Sequence, residues 1–297
     1  MAKKKSTIKS PGFEDIKKAI VLGLFSNDYL LERLVLKGGN ALSLVYEIST
    51  RASLDIDLSI PDEFDDLSLV SSHIQSGLQR SFDHLSLHVF DFSMSEEPRV
   101  ISEDIAGFWG GYKIVFKLIE QAKFRENSGD IEWLRRNSIS VGGSTARKFE
   151  IDISKHEYTE EKCKIIFAGY KIYVYSPAMI VCEKLRAICQ QIDSYREKVQ
   201  KHKAKRARDF LDIYQVCQSE NICPQDNSFR STLGKVFAVK DVPLNLLESL
   251  EQERNYHEPD FVAVKATVAS SNRLKEFEFY FQFTLDFVSK LEAFWNV

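Results

Sequence analysis

The chain has 297 residues, 40 Lys and Arg against 43 Asp and Glu, 44% hydrophobic residues, 13 Gly and 7 Pro. This composition excludes a disordered, collagenous or disulfide-stapled chain, and the length suits two lobes, each able to bury a core. A net charge of −3 gives no global pull on nucleic acid, so any contact with a polyanion must come from a local patch.

In chain order, Lys3, Lys4 and Lys5 form a basic start. The apolar run 19–25 that follows is too short and too close to Glu14 and Asp15 for a signal peptide or a membrane span. From Ser10-Pro11, apolar residues at Ile16, Ile20, Val21 and Leu24 predict a helix ending near Asn27. Leu34 to Leu36 reads as a strand, Lys37-Gly38-Gly39 as a turn, and 40–48 as a helix. The segment 54–60, Leu-Asp-Ile-Asp-Leu-Ser-Ile, alternates and is stopped by Pro61. As a strand it sets Asp55, Asp57 and Ser59 on one face, with Leu54, Ile56, Leu58 and Ile60 on the other.

A helix is expected over 67–78, and strands over 85–92, 112–119, 139–141 and 148–154. The last of these places Glu150, Asp152 and Ser154 opposite an apolar face. Ser176 as N-cap and Pro177 at the first helical position open a helix through about Ile192. Helical periodicity then dominates, over 204–218, 229–237, 244–253 and 274–295. Phe277, Phe279, Phe281 and Phe283 alternate as a strand would, but the apolar pattern runs on to Trp295, which favours a helix. The fold class expected is α+β, with a mixed twisted sheet in residues 1–175 and a helical lobe in 176–297. Five cysteines without a CxxC pair are expected to be buried thiols in a reducing cytoplasm.

Asp55 and Asp57, about 7 Å apart along a strand, could converge on a shared cation. Asp152 is the natural third carboxylate on a neighbouring strand, with Glu150 held open as its alternative. Gly38 and Gly39, between strand and helix, would let backbone N–H groups approach phosphate oxygens. Arg51 and Ser53 could present a guanidinium and a hydroxyl to the same anion. Further along stand Lys184, Arg208, Asp209 and Asp212; Lys205 with Asp209 and Arg208 with Asp212 are also helix-stabilising i,i+4 pairs. Residues 196–208 carry seven Lys or Arg against one acid, a density able to follow a phosphate backbone.

Taken together, Leu36-Lys37-Gly38-Gly39-Asn40, Arg51-Ala52-Ser53-Leu54-Asp55-Ile56-Asp57, Glu150-Ile151-Asp152-Ile153, Lys184 and Arg208-Asp209-Phe210-Leu211-Asp212 resemble the AbiEii/AbiGii toxin family of polymerase-β-like nucleotidyltransferases. The resemblance implies an N-terminal nucleotidyltransferase lobe and a bacterial toxin that moves a nucleoside monophosphate from an NTP to an acceptor, releasing pyrophosphate. It implies that Lys37, Gly38, Gly39, Asn40, Arg51, Ser53 and Arg208 bind the nucleotide, and that Asp55, Asp57 and Asp152 bind Mg²⁺. Lys184 and Asp209 take further catalytic roles. Asn40 stands where the family more often carries a hydroxyl residue. The acceptor expected is the tRNA 3′ end, with a cognate antitoxin as partner, a role in phage defence and no membrane. A protein or small-molecule acceptor, or a nucleotide-binding regulator without turnover, are the alternatives.

Overall fold

The computed structural model describes residues 11–49, 55–142, 145–200, 202–268 and 274–295. Seven strands form one mixed sheet: β1 (Val35–Lys37), β2 (Ile56–Ser59), β3 (Leu87–Glu97), β4 (Gly111–Glu120), β5 (Phe149–Ser154), β6 (Cys163–Phe167) and β7 (Tyr170–Val174), ordered β3-β4-β5-β2-β1-β7-β6. With its helices the chain is an α+β protein. It divides into two compact units that interleave in sequence, one from residues 1–32, 65–94 and 114–150, the other from 33–64, 95–113 and 151–297.

In the first unit, helices Phe13–Leu24 and Leu67–Asp83 approach so closely at Gly77 that a Cβ there would lie 2.3 Å from the Gly23 carbonyl oxygen. Phe82, Phe116 and Phe149 stack in its core. Residues 139–141 are not a strand: Ile139 N–H donates to Leu118 and Val141 N–H to Ala146, and Gly142 at φ +55° turns the chain after three residues, too few for a ladder.

The second unit holds the centre of the sheet. β1 runs antiparallel to β2 and parallel to β7, while β2 runs parallel to β5. The expected alternation is clear in β5, where Phe149, Ile151 and Ile153 are buried and Glu150, Asp152 and Ser154 half-buried. β2 is shorter than its apolar pattern, because Asp55 lies before the first ladder pair and Ile60 after the last. The helix expected over 40–48 is instead one turn, Gly38–Asn40, that widens into a π-turn, Ala41–Val45. The β6–β7 hairpin was not anticipated; four of its ten residues, Lys164, Ile166, Ala168 and Gly169 among them, break a clean apolar alternation, and Gly169 at φ +86° makes its turn.

Ser176 caps helix Pro177–Cys189 as expected, its Oγ accepting from Met179 N–H at 3.3 Å, although the helix ends before Ile192. Helices Ala207–Glu220 and Asn227–Ala238 follow, Leu244–Glu253 winds as a 3₁₀ helix, and the 274–295 stretch divides into Phe277–Ser289 and Glu292–Trp295. The alternating phenylalanines are helical: Phe277 and Phe281, one turn apart, both pack on Phe210, while Phe279 is left largely exposed. All five cysteines are free thiols, with Cys182, Cys189 and Cys217 buried and Cys163 and Cys223 only partly so. Among the described residues no helix is long and apolar enough to cross a membrane.

Candidate functional site

The register of the three central strands sets Lys37 opposite Asp57, and Asp57 opposite Asp152. Residues directly opposite on paired strands share a face, so a lysine and two carboxylates stand in one row across β1, β2 and β5. The row faces a cavity of about 580 Å³, within the size range of small-molecule sites, lined by residues of the second unit alone. Lys113 extends the row, its Nζ 4.0 Å from Asp152 Oδ1. Burial pushes the Asp57 carboxyl up to about 6; Lys37 and Arg208 oppose the shift, while Glu183 and Asp152 add to it. Asp57 is therefore a carboxylate short of positive charge.

The glycine turn is built against that carboxylate. Gly38 has φ +69°, and a Cβ there would lie 2.3 Å from Asp57 Oδ2, so both backbone conformation and space demand glycine. Gly38 and Gly39 line the cavity with Asp57 and Asp152. Asn40 does not. It is fully buried, and its amide donates to the backbone carbonyl of Asp55, so it ties the turn to the start of β2. Asp55 itself is exposed, ahead of the strand. Among the described residues no group of three or more His, Cys, Asp or Glu is arranged to hold a metal ion; Asp57 and Asp152 form a pair, not the expected trio. Arg51 and Ser53 lie outside the described residues.

Lys184 and Asp209 meet, but in the interior. Lys184 Nζ lies 3.0 Å from Asp209 Oδ1 and 2.7 Å from Asp212 Oδ2, joining helix Pro177–Cys189 to helix Ala207–Glu220. Burial would favour neutral Lys184, yet the two aspartates hold it well above its ordinary value. Lys184, Arg206 and Arg208 likewise hold Asp209 far below its own against the cost of burial. Arg206 adds a contact of 3.6 Å to Asp209 Oδ2. Arg208 is exposed on the cavity, its guanidinium strengthened by Asp209 and Asp57. In the basic segment, Arg196 pairs with Asp193, Lys198 with Asp241 and Lys203 with Glu253, which leaves His202, Arg206 and Arg208 as its contribution to the cavity.

Four further lining residues escaped the sequence reading: Ser154, Glu157, Arg186 and Lys240. Glu157 is buried and bonded to Arg186 at 2.8 Å, with Lys37 Nζ at 3.4 Å and Lys240 Nζ at 3.7 Å. Burial alone would push Glu157 up; the three cations overcome it and hold the carboxyl far below its usual range. No periodicity marks these positions. The one available signal was Arg186, a charge on the otherwise apolar face of its helix.

Acids and bases thus line one cavity at a glycine turn, an arrangement suited to a metal-bound polyphosphate. The family model described as "Nucleotidyl transferase AbiEii toxin, Type IV TA system" matches residues 20–283, and the chain belongs to that family of nucleotidyltransferases. No curated protein matches the sequence. Among solved structures the chain is similar to JHP933 from Helicobacter pylori, with 14% identity, TM-score 0.47 and coverage of 96% of this chain and 92% of that one. It is also similar to an antigenic nucleotidyltransferase-like protein from Paracoccidioides brasiliensis, with 17% identity, TM-score 0.38 and coverage of 87% and 96%.

Proposed function

We propose that this nucleotidyltransferase moves a nucleoside monophosphate from a Mg²⁺-bound NTP to the tRNA 3′ end in the cytoplasm, as a toxin restrained by a cognate antitoxin and used in phage defence. The observation that carries the reading is the pairing of Asp57 with Asp152 on adjacent parallel strands, beside the Gly38 turn and within one cavity. Mg²⁺ is commonly held by one or two carboxylates, with water and substrate phosphates completing the shell. Two adjacent acids, one of them raised by burial and like charge, fit such an ion. When bound, the ion would neutralise the triphosphate and polarise the transferred phosphoryl group.

The chain's own residues supply position and charge. Gly38 and Gly39 open the backbone to phosphate oxygens, and Lys37 places a cation beside them. Arg208, exposed beside Asp57, is available to a transferring phosphate. Asp152 is the group best placed to take the acceptor proton, being more open than Asp57, with a side chain 44% exposed. Asp55 enters the metal set, and Asn40, Arg51 and Ser53 the nucleotide set, through the resemblance alone. Lys184 and Asp209 support Arg206 and Arg208 from behind. In this reading residues 1–175 act as the nucleotidyltransferase domain and 176–297 complete the acceptor cleft, with His202, Arg206 and Arg208 meeting the RNA.

Incubating the protein with each labelled NTP and total tRNA tests the proposal. Label should enter RNA, and Asp57→Asn and Asp152→Asn should each abolish it. Label that stays off RNA with every NTP, in protein that binds nucleotide, refutes the tRNA reading; label on a polypeptide or small molecule would redirect the acceptor.

A further inference from the structure

Glu157 gathers three cations. Arg186 makes a two-pronged contact, Nη1 to Oε2 at 2.8 Å and Nη2 to Oε1 at 3.0 Å, while Lys37 and Lys240 approach Oε1 at 3.4 and 3.7 Å. The remaining bonds of these cations go to neutral oxygens. Lys37 Nζ donates to Ser154 Oγ at 2.9 Å, Lys240 Nζ to the Lys155 carbonyl at 2.6 Å, and Arg186 Nη1 to the Val236 carbonyl at 3.0 Å. Arg186 Nε has no partner among the described residues. The cluster therefore holds three positive side chains against one negative, all buried and all on the cavity wall.

Uncompensated buried charge is expensive. Burial, helped by Arg186 and Lys37, pushes Lys240 down to about 8 in spite of Glu157. The imbalance is of about two charges, which is what a terminal phosphate carries near pH 7. A single carboxylate would leave half of it. Lys37 also stands in the strand row with Asp57 and Asp152, so the cationic cluster begins one side chain away from the paired acids.

We propose that Lys37, Arg186 and Lys240, organised by Glu157, form the seat for the terminal phosphates of the nucleoside triphosphate, the part that leaves as pyrophosphate. The proposal rests on reading the cavity as an NTP site. It divides the cavity by charge: carboxylates at one end serve the cation and the transferred phosphate, and the buried bases at the other hold the leaving group. Glu157 acts here as a positioning residue that keeps three mutually repelling cations together.

The test is calorimetric titration of the full chain with inorganic pyrophosphate in EDTA, so that no divalent ion bridges ligand and carboxylates. Pyrophosphate should bind; ATP should displace it and AMP should not. Lys240→Met and Lys37→Met should each weaken binding at least tenfold, the loss of about one charge-assisted hydrogen bond, while Asp57→Asn should not weaken it. Wild-type protein that fails to bind pyrophosphate, or releases it to AMP as readily as to ATP, overturns the proposal even if a Met variant fails to fold. So does a folded Lys240→Met chain with unchanged affinity. Pyrophosphate binding without transfer to tRNA would instead leave the seat standing and remove the function proposed above.

Discussion

Gly38→Ala isolates the contact on which the site is built. The substitution adds one methyl group at a residue with φ +69°, where that methyl would lie 2.3 Å from Asp57 Oδ2 and 3.0 Å from Asp57 Cβ and Cγ. Ordinary contact begins near 3.4 Å, so the carboxylate must withdraw by about 1 Å. Holding alanine in the left-handed region costs about 1–2 kcal/mol, a loss of a few degrees in melting temperature for a chain of this size. The catalytic loss should be far larger, since a misplacement of about 1 Å costs on the order of 100-fold in rate. Pyrophosphate release measured beside thermal melting reads both quantities. Gly107→Ala serves as control, because nothing lies within 4 Å of a Cβ there. A Gly38→Ala enzyme within threefold of wild type, at normal stability, would refute the argument that Asp57 is placed by this turn.

Lys184→Met should destabilise the chain by about 3–5 kcal/mol in urea unfolding, because Asp209 and Asp212 would be left buried without their shared cation. Adding Asp212→Asn should recover part of that loss, and a Lys184→Met protein as stable as wild type would show that the clasp is dispensable. His257 is fully buried, and its Nδ1 accepts from Arg206 N–H at 3.0 Å, at the start of the helix carrying Arg208 and Asp209. Burial lowers its pKa to about 4, with Lys203 and Arg206 lowering it further and Asp209 opposing. The unfolded chain takes up this proton first, so the stability it supports is complete above about pH 6.5 and is lost as pH falls toward 4, about 3 kcal/mol in all. His257→Asn, which keeps an acceptor but does not titrate, should lose about 2–3 kcal/mol less than wild type between pH 7 and 4.5. Parallel pH profiles for the two proteins would contradict this account.

Much of the fold was legible because strand and helix periods act locally. The alternation around Asp57 and Asp152 located β2 and β5, and Ser176-Pro177 marked a helix start where the structure has one. Where a local rule was too weak, the reading failed: three residues at 139–141 do not make a strand, and the β6–β7 hairpin carries mixed polarity on both faces. The glycine turn was visible as a turn, but its partner was not. Nothing in Lys37-Gly38-Gly39 says that an aspartate nineteen positions later fills the space a Cβ would need.

The amino-acid order alone determined which residues carry chemistry and which strands present them, since alternation and capping depend on neighbours a few positions apart. Tertiary pairing decided which of those residues meet. Parallel register set Asp152 against Asp57, while Asp55 stayed outside the ladder. Packing of helix Pro177–Cys189 turned Lys184 inward onto two aspartates and brought Arg186 and Lys240 to Glu157. These contacts join positions as much as 120 residues apart. They are stabilised by burial and charge balance, which belong to the folded chain and leave no period in the sequence.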